Sequence, residues 1–388
     1  MRIAFDGKRA FHNGTGLGHY SRTLLSSLAK DFPDNEYLLL NPKPGKFFKE
    51  RTHNLMEIYP QTNFDKFFRG LWRSRNCTNT LTKLEVNLYH GLSHELPFGI
   101  EKIGIPTVVT MHDLIPERHP EQYAPWDVKI YRKKFRYACE VADHIIAISE
   151  QTKQDIIHYY QIDPHKIRVC YQSCNPAFAQ RVSAEEKQRI RTKYNLPERF
   201  FLSVGSIIER KNLLNVCKAL SSLAPEHRLP LVVIGNGGTY KKKVLHYLHE
   251  NNMVQEVIFL SDDPQFKNDL GYNTAQDFPA IYQLASALLY PSHFEGFGIP
   301  VLEGLWSRVP VITSKVSCLP EAGGQGAYYV NPDSPEEIAE GMRRIITEPS
   351  LKETLTQLGW EHAQNFTPEK AASCVMEVYK ELMQRQTT

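Results

Sequence analysis

The chain has 388 residues, 41% of them hydrophobic and 23% charged, an ordinary balance for a globular protein. A single core rarely outgrows about 250–300 residues, so this length argues for two domains, each able to bury a core without staples. No stretch reaches the ~18 uninterrupted apolar residues of a membrane span, the first residues lack a signal-peptide pattern, and a net charge of only +3 speaks against a nucleic-acid partner.

A cytoplasmic location is therefore expected. Residues 1–175 hold 24 Lys and Arg against 19 Asp and Glu, and the remainder 22 against 24. The mildly basic first half suits contact with an anionic surface. Seven cysteines are scattered, at 77, 139, 170, 174, 217, 318 and 374, with no C-x-x-C. That pattern predicts reduced, buried cysteines rather than a disulfide framework or a metal site.

Short β-rich runs alternate with helical patterns from end to end, the signature of parallel α/β architecture. Strands are predicted at residues 2–5, 36–40, 56–59, 86–90, 106–111, 143–148 and 167–171. Several are continuous apolar runs, as strands covered on both faces should be. A helix is expected over 19–31, with Tyr20, Leu24, Leu25 and Leu28 on one side. In residues 63–75, Phe64, Phe67, Phe68, Leu71 and Trp72 recur at i, i+3, i+4, i+7 and i+8, predicting a single amphipathic helix with basic flanks. Such a helix either packs into the core or rests on an anionic bilayer. Further helices are predicted at 126–141 and at 149–160, the latter opened by a Ser149 cap with Glu150 in its first turn.

The stretch 171–198 is polar and carries Asn175-Pro176 and Leu196-Pro197, which places a domain boundary near residue 180. The second half repeats the alternation, with strands at 201–204, 230–234, 257–260, 287–290, 309–313 and 328–330. Its helices are expected at 213–223, 241–251, 278–284, 300–306, 335–346 and 351–365. The reading is thus two Rossmann-like domains, 1–180 and 181–367, facing each other across a cleft. A last helix within 368–388, with Ala372, Val375, Val378, Tyr379 and Leu382 on its apolar side, falls beyond the second strand set.

Residues 291–304 carry the sharpest chemical pattern. Glu295-Gly296-Phe297-Gly298-Ile299-Pro300 leads from a strand into a helix that contains Glu303. Glycines let a ligand approach the backbone, and Pro300 suits a first helical turn. The amides of Phe297, Gly298 and Ile299 would then point from a helix N-terminus at an anion. Carboxylates such as Glu295 and Glu303 accept paired hydrogen bonds from vicinal hydroxyls. The alternative is a plain turn before an amphipathic helix.

A second pattern follows strand 201–204, where Gly205 is succeeded by Arg210, Lys211 and Asn212. Two cations at a strand end can stabilise charge developing on a leaving diphosphate, which would make a metal ion unnecessary. Otherwise they are a solvated pair before a helix capped by Asn212. In residues 13–21, Gly14, Gly16 and Gly18 precede a helix, as in a phosphate-facing loop. Their G-x-G-x-G spacing, with seven residues intervening after Asp6, is not the dinucleotide fingerprint. Finally, His112-Asp113 ends one buried strand and His90-Gly91 another. Either His projects towards a ligand or is satisfied locally, His112 by Asp113.

Taken together, these motifs resemble the retaining family 4 glycosyltransferases of the GT-B fold, over nearly the whole chain and most densely from Phe200 to Asn331. The resemblance implies that Glu303 holds ribose hydroxyls, Glu295 the donor sugar, and Arg210 and Lys211 the diphosphate. It further implies that the amides of Phe297, Gly298 and Ile299 line the sugar–phosphate pocket and that His112 sits by the donor sugar. The Gly16-Leu17-Gly18 loop would close over the phosphates, and the last helix would cross back to the first domain. One departure stands out. The family's glycine after the Phe-Leu strand is replaced by Ser261-Asp262-Asp263, and the stretch to Asp277 is long, so base contacts there do not carry over.

The activity implied is metal-independent transfer of a hexose from a nucleotide-diphosphate sugar to a glycan or lipid-linked acceptor in surface polysaccharide synthesis. GDP-mannose is the expected donor, by general likeness to bacterial mannosyltransferases, with UDP-hexoses next. Peripheral contact with the inner membrane face would follow from the 64–75 segment. A non-catalytic nucleotide-sugar binding module and a nucleotide-sugar epimerase are the alternatives from other classes.

Overall fold

In a computed structural model, residues 1–50 and 52–387 are described; Arg51 and Thr388, the end of the expected 368–388 segment, lie outside the described residues. The chain divides into two units, one comprising Met1–Ser173 and Phe366–Thr388, the other Cys174–Asn365.

The first unit is built on seven parallel strands: β1 (Arg2–Asp6), β2 (Glu36–Leu40), β3 (Leu55–Ile58), β4 (Leu88–Gly91), β5 (Thr107–Met111), β6 (His144–Ala147) and β7 (Ile167–Val169). They are ordered β3-β2-β1-β4-β5-β6-β7. Registers such as Ile3 beside Tyr37 and Leu88 place the apolar runs mid-sheet, where Ile3, Ala4, Phe5, Val108 and Val109 are fully buried. Helices cover both faces, which is why these strands read as unbroken apolar runs. The Pro125–Val141 helix packs its Phe135 and Ala138 on one face. The Gly16–Asp31 helix places Leu24, Leu25 and Leu28 on the other.

The second unit has six parallel strands: β8 (Phe201–Val204), β9 (Leu231–Ile234), β10 (Val257–Phe259), β11 (Ala287–Tyr290), β12 (Val311–Ser314) and β13 (Ala327–Val330). Their order is β10-β9-β8-β11-β12-β13. In each sheet the winding reverses at its first strand, between β1 and β4 and between β8 and β11. Open α/β sheets bind ligands outside the carboxyl ends of the strands at such a reversal.

Several expectations need correction. The boundary falls at Ser173 rather than near 180, because the Asn-Pro stretch is already committed to the second unit. Phe178 packs edge-on against Tyr282 at 5.1 Å, and the Gln180 carbonyl accepts from Gln283 at 2.7 Å. Cys170 and Cys374 are paired in a disulfide across 204 residues; a scattered count could not show that the end of β7 and the last helix are neighbours. The Gly16–Asp31 helix starts three residues earlier than expected, so Gly16, Leu17 and Gly18 form its first turn rather than a loop. A Cβ on Gly18 would lie 1.9 Å from the Asn13 carbonyl oxygen, so only glycine lets the chain double back there.

The single helix expected over 63–75 is broken as well. It runs Asn63–Phe67, turns at Phe68 (φ −97, ψ 56), resumes at Arg69–Leu71 and widens into a π-turn at Trp72–Asn76. Trp72 alone of its five aromatic and leucine positions is buried.

The Pro368–Thr387 helix packs Ala372, Val375, Tyr379 and Leu382 into the core of the first unit. Its Tyr379 hydroxyl lies 2.5 Å from His90 Nδ1, whose Nε2 meets Thr110 Oγ1 at 2.8 Å, and Tyr20 reaches the same Thr110 hydroxyl at 3.0 Å. Tyr379→Phe leaves one of these buried groups unpaired. It should cost about 1–3 kcal/mol, measured as a lower Tm, whereas an unchanged Tm would show that the network is not needed to seat the helix.

Candidate active site

The turn after β8 and the loop after β11 come together at the second unit's winding reversal. Gly205 leaves β8 with φ +130, where a Cβ would crowd the Lys211 side chain at 2.9 Å. The turn Glu209–Lys211 follows. Asn212 then takes the left-handed conformation (φ 64) and makes no helix cap with its side chain. Its amide instead donates to the carbonyls of Pro291 and Pro332 at 3.0 and 2.6 Å. The two loops are stitched further where His293 N–H donates to the Arg210 carbonyl at 2.8 Å.

This stitching brings three predicted residues into one buried cluster. Arg210 Nη1 lies 2.8 Å from Glu295 Oε2, and Lys211 Nζ lies 3.2 Å from Glu295 Oε1. Arg210 also donates to the Phe294 carbonyl. Both cations are largely withdrawn from solvent: the side chains of Arg210 and Lys211 are 10% and 17% exposed. Tyr290, the last residue of β11, completes the group. Lys211 Nζ donates to its hydroxyl at 2.6 Å, and that hydroxyl donates to Glu295 Oε1 at 2.8 Å. Burial alone would push Glu295 up, but the charges of Lys211 and Arg210 and the hydrogen bonds it accepts outweigh it and hold the carboxyl down at about 2.

Glu303 lies on the Ile299–Trp306 helix and accepts from the Tyr282 hydroxyl at 2.7 Å. Burial pushes it up to about 7, against the Tyr282 hydrogen bond and the charge of Lys211. The two glutamates of one motif are therefore electrostatic opposites, one locked as an anion and one poised near neutrality. Gly298 at φ +105 turns the chain into this helix, with Phe297 buried before it. Ile299 opens the helix and Pro300 sits in its first turn.

The remaining predicted residues belong to the first unit. His112 is buried, and its Nε2 lies 2.9 Å from the Leu92 carbonyl, which can only accept, so Nε2 carries the proton. Tyr20 meets its ring edge-on at 4.6 Å. Burial, with the nearby His94, lowers His112 to about 3, which keeps it neutral. His90 is part of the core network with Tyr379 and Thr110 and does not project outward. Gly16, Leu17 and Gly18 present a helix N-terminus.

Sequence reasoning missed Tyr290, Tyr282, Ser317 and Cys318. The latter two hold the Glu295 backbone: Glu295 N–H donates to Ser317 Oγ at 3.2 Å, and Cys318 Sγ lies 3.0 Å from the Glu295 carbonyl. Tyr290 could have been found, since a tyrosine ending a central strand carries its hydroxyl past the sheet edge. Ser317 and Cys318 gave no such signal. Ser261, at the departure noted above, hydrogen-bonds the Gly235 carbonyl at 2.6 Å, and Asp269 and Asp277 clamp Lys193 at 2.8 and 2.7 Å. Among the described residues, no group of three or more His, Cys, Asp or Glu side chains could hold a metal ion, and no helix is long and apolar enough to cross a membrane.

Residues 184–362 match the family model described as glycosyl transferases group 1, and residues 14–178 that of Glycosyltransferase Family 4. The chain is therefore a glycosyltransferase that carries a domain of each of these two families. It is 28% identical to O-antigen chain mannosyltransferase B of Escherichia coli over 399 aligned residues, across 98% of this chain and 100% of that protein. Against O-antigen chain mannosyltransferase RfbU of Salmonella typhimurium it is 25% identical, covering 87% and 89%. A glycosyltransferase from Rickettsia africae shares the fold at TM-score 0.74 and 18% identity, over 98% of both chains. HepE from Anabaena, solved with UDP-glucose, does so at 0.72 and 17%, over 98% and 100%. Both structures show the GT-B fold expected of this glycosyltransferase.

The two glutamates give opposite pH signatures. Glu295, held down, stabilises the fold above its unfolded value of 4.5, and that contribution is lost as pH falls towards about 2. Glu303, held up, favours the fold below 4.5 and loses that contribution as pH rises through about 7. The Tm of wild type relative to Glu303→Gln should therefore decline between these limits; a constant difference would remove the raised Glu303 from the account.

Proposed function

We propose that this glycosyltransferase moves a hexose, with retention of configuration, from a nucleotide-diphosphate sugar to a hydroxyl of a lipid-linked glycan in surface polysaccharide synthesis. The observation that carries the reading is the buried cluster of Arg210, Lys211 and Glu295 at the winding reversal of the second unit. Two cations held together at such a strand end match the charge of a pyrophosphoryl sugar. The two cations take the diphosphate oxygens, and Glu295, released from them, takes donor-sugar hydroxyls. Glu303 takes the ribose hydroxyls, and the amides of Phe297, Gly298 and Ile299 line the sugar–phosphate pocket. His112, neutral, and the helix N-terminus at Gly16, Leu17 and Gly18 are proposed to serve the donor from the first unit. GDP-mannose is the proposed donor, supported by the full-length likeness to a mannosyltransferase.

In the reaction, the bond between the anomeric carbon and the β-phosphate oxygen breaks. The acceptor hydroxyl oxygen bonds to that carbon from the same face, and its proton passes to the departing phosphate oxygen. Preorganised cations stabilise the charge that gathers on the leaving group, and the protein otherwise contributes positioning. The enzyme works on this reading without a metal ion, at the cytoplasmic face of a membrane.

Lys211→Ala should lower kcat by about 10²–10³-fold, the usual effect of removing one preorganised donor, with an unchanged fold by circular dichroism. Full turnover in a folded variant would remove Lys211 from the mechanism. Release of nucleoside diphosphate, assayed with a panel of GDP-, UDP-, ADP- and dTDP-sugars, should be fastest with GDP-mannose; a UDP-hexose leading the panel would replace the donor, and donor isomerisation without acceptor would point to an epimerase.

A further inference from the structure

Ten large apolar side chains are exposed among the described residues, and six of them fall in two short stretches of the first unit. Phe64, Phe67, Phe68 and Leu71 lie in one, with Phe67 at 81%; Trp126, at 71%, and Ile130 lie in the other. Scattered exposed apolar residues need no explanation, but clusters do. The first cluster is ordered rather than loose. Phe68 packs against both Phe64 and Phe67 at ring distances of 4.9 Å. A Cβ on Gly70 would meet nothing within 4 Å, so the stretch has no covering layer there.

The two stretches are fastened to one segment. Glu95 takes Arg73 Nη1 at 2.9 Å and Lys134 Nζ at 3.3 Å. Phe98 N–H donates to the Ser74 carbonyl at 2.8 Å, and the Phe98 ring packs on Tyr137 at 4.7 Å. Arg73 also holds Asp6, at the carboxyl end of β1, with Nη2 to Oδ2 at 2.6 Å. The apolar stretches are thus bolted, through Arg73, to the winding reversal of the first sheet. Their surroundings are basic. Residues 63–76 contain four Lys and Arg against one acid, and 125–141 five against two. Lys66, Arg69, Arg75, Lys129 and Lys133 are all exposed.

We propose that these two stretches form one docking surface for an anionic lipid bilayer. The aromatic and aliphatic side chains enter the headgroup–acyl boundary while the cations meet the lipid phosphates. A partner protein with an apolar face would not require the basic surround, and this charge match selects the bilayer. The inference deepens the lipid-linked acceptor reading given above and rests on it for its purpose. Docking would set Asp6 and the end of β1 at a fixed height above the surface from which such an acceptor projects.

The test is co-sedimentation of the full chain with vesicles of phosphatidylcholine alone or with about one-third phosphatidylglycerol. The wild type should sediment with the anionic vesicles only, and less at high salt. Phe67→Ser with Trp126→Ser, and separately Lys66→Glu with Lys129→Glu, should each weaken binding by about tenfold or more while leaving the Tm unchanged. Failure of the wild type to sediment, or variants that sediment equally well, would overturn the proposal. So would a concentration-dependent dimer that the Phe67→Ser, Trp126→Ser variant dissolves, since a second copy would then cover the face. Thermal shift with nucleotide sugars, run without vesicles, reads the donor site separately: its failure would strike the proposed function and leave the lipid surface standing.

Discussion

A buried anion, Glu295, shared by two cations that come from a different strand end, is the interaction on which the chemistry proposed for the second unit depends. Burying one charge is costly, and a buried ion pair is stable only when its geometry and hydrogen bonds are nearly complete. Here they are supplied from several directions: Arg210 and Lys211 from the β8 turn, Tyr290 from β11, and Ser317 and Cys318 on the backbone side. The same arrangement keeps the cations in place when no other anion is present. On the proposed function, a ligand diphosphate would take them over without rebuilding the loops, leaving little ordering to be done at the moment of reaction.

Sheet winding explains why this cluster can form. Only where β8 separates β9 from β11 do neighbouring helices leave to opposite faces, and only there can two loops converge without a helix between them. Asn212 makes that convergence rigid. Its left-handed backbone spends no side-chain hydrogen bond on the helix behind it, so the amide is available to the carbonyls of Pro291 and Pro332. Glu303, one turn into the next helix, is left with a tyrosine partner and a high proton affinity. A carboxyl so poised can ionise when hydroxyl donors arrive.

Much of this was legible in the sequence, for identifiable reasons. Parallel strands buried on both faces leave unbroken apolar runs, so all thirteen strands were visible to within one or two residues. Glu295, Arg210 and Lys211 were visible because glycine, proline and charge fall together directly after strands. Tyr290 was counted only as strand, since its hydroxyl works beyond the position that periodicity describes. Pairing of Cys170 with Cys374 was hidden, because it depends on where the last helix docks. The 63–75 segment misled through its periodicity: a helical spacing of aromatics does not reveal the turn at Phe68 that sends Trp72 inward and its neighbours outward. The glycines at 16 and 18 suggested a loop, although Gly18 is needed for close passage of the Asn13 backbone inside a helical turn.

The most direct test of the central claim is a crystal structure of the protein with a nucleoside-diphosphate sugar bound. The account predicts that Lys211 Nζ and the Arg210 guanidinium lie within hydrogen-bond distance of the diphosphate oxygens while Glu295 faces the sugar. A diphosphate seated elsewhere, with both cations still on Glu295, would contradict it.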